Sequence, residues 1–311
     1  MMRGNNPKGL GAAPRWILAS MSAYAAVDLL ALYLWSSASQ TFTIQGHSDS
    51  TTLPVTAMAG VSLWLCVAIL RSFTSGAPLR PAWMLITLAA AVQAVFGVVG
   101  QLLGSDWALN PLLWGGHAQP GLTEQIRLSA LIAGGPVRLA LMAAALVPVL
   151  RQLRRFGFWI RPSATDWAIC GIVCLFTLCR FAEAGASSFA GRPIGIEDWT
   201  SLAGLPVVCV LFLEATLLRQ SVVRMGNGPI SKCWAAITWG IFLTGFVDLA
   251  LWLIPHYSSA PLAIIESLSQ FLLAAVFALA PAYQLSAQRR ATRPDEMVPE
   301  NLATAVPAVA R

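Results

Sequence analysis

Eight long apolar stretches occupy most of this 311-residue chain, and they limit the folds that it can adopt. Crossing a hydrocarbon core of about 30 Å takes about 20 apolar residues in an α-helix. Only 11% of the residues are charged, whereas a soluble domain has roughly a quarter. The sequence therefore predicts an all-α integral membrane protein with eight transmembrane helices. The predicted helices are 16–37, 53–71, 82–103, 128–150, 166–187, 200–219, 233–254 and 261–284.

Lysine and arginine are concentrated on one side of these helices. Sixteen of the 20 fall in the N-terminal arm, in alternate loops and in the C-terminal tail, which share one face. The loops of the other face hold only Arg127 and Arg192. Because cytoplasmic loops are enriched in Lys and Arg, we expect both termini in the cytoplasm and the helices in the inner (plasma) membrane. We expect no nucleic-acid partner, since the charge is divided among short loops beside anionic headgroups.

Tryptophan recurs near both predicted membrane boundaries. Indole prefers the interface between lipid and water, so this placement predicts an aromatic belt. The expected inner row is Trp16, Trp83, Trp159, Trp167 and Trp234, and the expected outer row is Trp35, Trp107, Trp114, Trp199 and Trp252.

The chain carries the pattern of a tandem duplication with an offset of about 151 residues. Trp16 matches Trp167, Trp83 matches Trp234, and a Leu-Pro-Val triplet and an Ile-Thr pair recur in consistent order. Convergence on belt and helix-start preferences is the alternative explanation. Four-helix units cross the membrane an even number of times, so the two copies would be parallel. The predicted units are 1–158 and 159–290, followed by a disordered cytoplasmic tail at 291–311.

Ionisable side chains inside membrane helices are costly, about 2.5–3.5 kcal/mol each on insertion scales, and usually face a partner or water. At 1.5 Å per residue, Asp28 and Arg138 lie about 15–18 Å from a membrane edge, near the midplane. We expect an ion pair between them, either as a structural contact or as part of a solute path. Glu214 is expected to extend toward the inner surface, because Arg219 is close in sequence. A second polar group is predicted in the outer third of the membrane: Arg180, Glu183, Asp248 and Glu266.

A potential helix break precedes Arg138 at Gly134, Gly135 and Pro136. Proline lacks a backbone N–H, and two glycines weaken a helix. Broken helices at mid-membrane often line transporter sites, because exposed backbone there must face protein or water. A kink that lets neighbouring helices pack closely is the alternative, and the sequence leaves both open.

The sequence contains none of the common hydrolase, nucleotide-binding or metalloprotease motifs. The three histidines fall in separate predicted outer loops without ligand spacing, so we expect no metal and no cofactor. The leading hypothesis is a permease-like protein that moves a small polar or anionic solute, with proton linkage as an additional expectation. The alternative is a non-catalytic membrane subunit or sensor, and an intramembrane enzyme has the least support. Expected partners are the lipid bilayer and either another membrane protein or a second copy of the chain.

Overall fold

The computed structural model describes residues 12–37, 44–103, 136–158, 161–189, 196–253 and 260–291, and its regular structure there is helical. Backbone hydrogen bonds within each helix satisfy the polar groups that lipid cannot, so helices are the expected solution for such apolar segments. The described helices are α1 (Ala13–Ser37), α2 (Ile44–Ser72), α3 (Arg80–Leu103), α4 (Arg138–Arg155), α5 (Ala164–Phe189), α6 (Ile196–Arg224), α7 (Pro229–Leu253) and α8 (Ala260–Ala291).

Five of the described helices are long and apolar enough to cross a membrane, namely α2, α3, α5, α6 and α8. Their apolar windows agree with five of the eight predicted spans. The helices α1, α4 and α7 are outside this set, and α4 has only 18 residues, of which four are arginines. The all-helical fold with several candidate membrane spans is therefore established, while the count of eight spans stays a prediction.

Several helices extend beyond the apolar segments that predicted them. Helix α2 begins at Ile44 rather than near residue 53, so His47 lies in its first turn and not in a loop. Helix α8 continues to Ala291, past the predicted end at residue 284. Apolarity marks the lipid-embedded part of a helix, whereas its hydrogen bonding continues into the interface. The predicted tail from residue 292 onward lies outside the described residues.

Six of the helices form a closed arrangement that we call the helix ring: α2, α3, α4, α6, α7 and α8. Going round the ring, α2 packs on α3, α3 on α4, α4 on α6, α6 on α7, α7 on α8, and α8 on α2. Helices α1 and α5 are peripheral, since α1 packs chiefly on α8 and α5 on α6. Close helix approach is helped by glycine: a Cβ added at Gly97 would lie 2.7 Å from Thr56 Oγ1.

Local hydrogen bonds define the end of α4 and the start of α5. Gly157 adopts a φ of 75°, and the Phe158 N–H donates to the Leu153 carbonyl, which ends α4 in a Schellman motif. Ser163 caps α5, because its Oγ accepts from the Asp166 N–H at 3.3 Å and Asp166 in turn accepts from Ser163. The sequence predicts Thr165 as the N-cap of this helix, and that prediction is wrong, because the helix begins at Ala164 and Ser163 is its cap.

Two tryptophans lie in the core of the helix ring. The Trp83 ring on α3 and the Trp234 ring on α7 have centroids 6.1 Å apart, and they are 0% and 1% exposed. The expectation that both belong to the interfacial belt is therefore wrong. Trp16 and Trp167 are 73% and 57% exposed, as belt residues should be. We call the end of the ring that carries the Trp83–Trp234 pair its inner end, since it lies beside the predicted cytoplasmic loops.

Candidate functional site

A cavity lies inside the helix ring, and every ring helix contributes to its wall. The cavity is partly open, and about 950 Å³ of space without protein atoms lies within it and at its mouth. No described residue of the peripheral helices α1 and α5 lines it. One representative lining residue from each ring helix is Ala59, Ile86, Leu139, Leu211, Ile241 and Phe277.

Among the described residues, the polar part of the cavity wall is small and contains one charged side chain. Arg138 is half-buried, lines the cavity, and donates a hydrogen bond from Nη1 to Oε1 of Gln93. A guanidinium has five N–H donors in a planar fork, which suits recognition of carboxylate or phosphate groups. The remaining polar lining side chains are Ser62, Thr244 and Gln270.

Lining residues of α3 and α7 follow Trp83 and Trp234 at matching intervals along their own helices. Gln93 and Thr244 each follow their tryptophan by ten residues, which is about 15 Å along the helix axis. Ile86 and Ile237 each follow by three residues, which is about 5 Å.

The wall beside Thr244 is shaped by a close approach of α6 and α7. A Cβ added at Gly245 would lie 2.1 Å from the Phe212 ring, so only glycine fits there without displacing that ring. The Thr244 hydroxyl donates a hydrogen bond of 2.9 Å to the Gly240 carbonyl. This bond fixes the orientation of the Thr244 side chain. The Phe212 ring in turn packs edge-on against Phe242, with ring centroids 5.5 Å apart.

The predicted midplane residues fall in different surroundings. Arg138 lines the cavity, as described above. Asp28 lies on α1 and is 2% exposed, so it is buried, but it is not a lining residue of this cavity. The ion pair between Asp28 and Arg138 stays a prediction.

The predicted outer group is separate from the cavity where the structure describes it. Arg180 Nη1 and Glu183 Oε2 form an ion pair of 2.9 Å on α5, with 30% and 57% of their side chains exposed. The side chains of Asp248 and Glu266 lie outside the described part of the structure, although their backbones belong to α7 and α8.

The predicted helix break is described only at its last residue. Gly134 and Gly135 lie outside the described residues. Pro136 and Val137 form a π-helical turn that leads directly into α4 at Arg138. Single π-helical turns are frequent at functional sites, because they change the direction of the side chains that follow.

Glu214 is a buried acid that the sequence analysis misplaced. It is 7% exposed, and its Oε2 has no hydrogen-bond partner among the described residues. The expectation that its carboxylate reaches the inner surface is wrong, because that Oε2 is buried. The neighbouring Arg219 donates from Nη2 to Asp166. The sequence does indicate this burial, because Glu214 is three residues from Leu211 and four from Leu218. That spacing puts it on the buried face of α6.

Comparison with protein-family models, with curated proteins and with solved structures finds no significant match for this chain. Its function is therefore inferred from its own residues and their geometry.

Proposed function

We propose that the chain is an eight-helix inner-membrane permease that moves a small polar or anionic solute through the cavity of the helix ring. The observation that carries this proposal is Arg138, a cation that lines a cavity enclosed by six helices. A charge inside a membrane bundle usually marks a substrate or ion pathway. Ligand sites are commonly concave and mostly apolar, with a few polar groups that orient the ligand.

A tandem duplication of parallel four-helix units is part of this proposal, and the contacts within the helix ring support it. The helices of the two proposed units are paired in chain order. In this pairing, α2 is equivalent to α6, α3 to α7, and α4 to α8. The contacts α2–α3, α3–α4 and α4–α6 then correspond to α6–α7, α7–α8 and α8–α2, all of which occur.

One pair of equivalent residues of the two units meets inside the ring, as equivalent residues do beside a two-fold axis. Trp83 and Trp234 are equivalent in the proposed repeat and contact each other. Thr87 and Thr238 are also equivalent, and each donates to the carbonyl of its own tryptophan, at 2.6 and 2.9 Å. A parallel repeat with its site on the axis suits alternating access, because the two halves can rock about a central ligand.

Transport through the cavity predicts a specific loss when Arg138 loses its charge. In proteoliposomes, Arg138→Gln is expected to reduce the uptake of an anionic solute at least ten-fold, because the cation that stabilises the bound anion is gone. The measurement is initial uptake across a panel of small organic and inorganic anions, with and without a pH gradient to test proton linkage.

The matched control is Arg151→Gln, which removes an exposed arginine from the inner end of the same helix. This variant is expected to retain uptake within about two-fold. Uptake that Arg138→Gln leaves unchanged would contradict the proposed path. Absence of uptake over the whole panel, together with a stoichiometric co-purifying membrane protein, would favour the alternative of a non-catalytic subunit or sensor.

The proposed orientation predicts a clear labelling pattern. In a cysteine-free background, Ser258→Cys is expected to react with a membrane-impermeant maleimide added to the periplasmic side, because the loop at 255–260 is predicted to face outward. Asn227→Cys, in the exposed turn between α6 and α7, is expected to react only from the cytoplasmic side. The opposite pattern would reverse the orientation and place both termini outside.

A further inference from the structure

Glu214 is a buried acid in the apolar part of α6. It lies in the segment Leu202–Arg224, which is long and apolar enough to cross a membrane. Glu214 is 7% exposed, and its Oε2 has no hydrogen-bond partner among the described residues. Its neighbours on the buried face of α6 are apolar, namely Leu211, Ala215 and Leu218. An ionised carboxylate here would be a buried charge without compensation, which is costly in a membrane.

Asp166 on α5 shows what a buried carboxylate requires in this protein. It is 0% exposed, and both of its oxygens accept hydrogen bonds. The four donors are the Ser163 N–H, the Ser163 hydroxyl, Arg219 and Gln220. Such donors stabilise an ionised carboxylate, which accepts hydrogen bonds and donates none. Glu214 is nearly as buried but lacks donors at Oε2, so its surroundings suit the uncharged acid.

The charged groups on the neighbouring helices do not compensate Glu214 where the structure describes them. Helices α4, α5 and α7 pack against α6. Some of their charged side chains bond elsewhere, in the contacts Arg138–Gln93, Asp166–Arg219 and Arg180–Glu183. The others are exposed, namely Arg151, Arg154, Arg155 and Lys232, and so is Arg224 of α6 itself. The cysteines of these three helices do not bond to Glu214 Oε2 either; they are Cys170, Cys174, Cys179 and Cys233.

We propose that Glu214 is a proton-binding site inside the membrane, protonated in the conformation described here and able to exchange its proton when α6 moves. This inference rests on the proposed function, since it assigns the proton-binding residue of the same permease. The proton comes from the aqueous solution on one side, binds one carboxylate oxygen, and leaves to the solution on the other side. A metal cation would need several ligands, and the described residues contain no group of three acidic, histidine or cysteine side chains that could hold one.

The neighbours of Glu214 along α6 connect it both to the cavity and to lipid. Leu211 and Phe212, three and two residues before it, line the cavity wall. A movement of α6 that reshapes this wall would therefore also change the surroundings of the Glu214 carboxyl. Val210 and Leu213 are 48% and 37% exposed on the surface of the same helix. A small apolar reagent dissolved in the lipid can therefore come close to Glu214.

Dicyclohexylcarbodiimide tests the protonated state, because this lipid-soluble reagent adds to a protonated carboxyl group. The carboxyl proton passes to a carbodiimide nitrogen, an oxygen bonds to the central carbon, and the adduct rearranges to a stable N-acylurea. The full chain in phosphatidylcholine nanodiscs is treated at neutral pH, and peptide mass spectrometry measures the adduct at each acid. We expect at least ten-fold more adduct at Glu214 than at Asp166, the buried acid that has its donors. An equal yield at both acids, or no adduct at Glu214, would overturn the proposal.

Two variants test proton exchange. Glu214→Gln imitates the protonated acid in charge and shape, so it is expected to unfold at the same temperature as the unaltered chain. It cannot release a proton, so it is expected to abolish the stimulation of anion uptake by a pH gradient in proteoliposomes. Glu214→Asp keeps a carboxyl group and is expected to retain both the adduct and the stimulation. Stimulation that Glu214→Gln leaves intact would overturn the proposal.

The labelling result does not depend on transport, so the two proposals fail separately. Adduct at Glu214 in a chain that shows no flux over the anion panel would support the proton-binding site and contradict the permease. Flux that no pH gradient changes, without adduct at Glu214, would support the permease and contradict the proton-binding site.

Discussion

Replacing Trp234 with alanine is expected to lower the free energy of unfolding by about 3–5 kcal/mol. The side chain is 1% exposed and packs on Trp83 between α3 and α7, so its removal leaves a large void at the inner end of the helix ring. In lipid, helix association depends mainly on van der Waals packing, and a void loses those contacts outright. Thermal unfolding in a mild detergent, followed by near-ultraviolet circular dichroism, measures the loss.

Trp64→Ala is the matched control for this substitution. Trp64 belongs to ring helix α2 and is 55% exposed, so truncating it is expected to change the unfolding free energy by less than about 1 kcal/mol. The double substitution Trp83→Ala with Trp234→Ala is expected to cost less than the sum of the single losses, because each side chain packs on the other. Equal losses for Trp64→Ala and Trp234→Ala would contradict a central Trp83–Trp234 pair and restore the belt interpretation.

Removing either member of the predicted midplane pair is expected to cost about 3–5 kcal/mol, because the remaining charge is left buried without compensation. Asp28→Ala and Arg138→Ala are the single variants, and the burial of Asp28 at 2% exposure supports a large effect there. The double variant is expected to recover part of the loss, since neither charge then remains. The measurement is a double-mutant cycle on detergent stability.

An exposed pair on the same protein provides the comparison. Arg180 and Glu183 form their ion pair on the exposed face of α5, so Glu183→Ala is expected to cost at most about 1 kcal/mol. Strictly additive losses for Asp28→Ala and Arg138→Ala would mean that the two residues do not interact. In that case, Arg138 would depend on Gln93, its hydrogen-bond partner on α3, for its position in the cavity.

The approximate positions of the helices followed from the sequence because lipid imposes a simple requirement on composition. A membrane segment must be apolar over its whole length, so runs such as 82–103 and 166–187 predicted α3 and α5 to within a few residues. Helix ends were less accurate, because hydrogen bonding continues past the apolar segment. The first turns of α2, around His47, are polar and were assigned to a loop for that reason.

Residues of the candidate site could be predicted only where a polar side chain is unusual for an apolar helix. Arg138 was predicted because a charged side chain is costly inside a membrane, and it lines the cavity. Thr244 was not, because threonine in a helix commonly bonds to its own backbone, as it does to Gly240 here. Glu214 was misplaced because Arg219 is close in sequence, although residues five apart point about 140° away from each other on a helix.

The sequence by itself determined the class of fold, namely apolar helices with basic loops on one predicted side. Tertiary structure decided which helices form the ring, that α1 and α5 lie outside it, and that Trp83 and Trp234 face the core rather than the interface. The physical reason is that a membrane helix is apolar on every side, so hydrophobic periodicity does not distinguish the face that meets lipid from the face that meets protein. That choice depends on packing between specific side chains, such as Phe212 against Gly245, which becomes visible only when the helices are assembled.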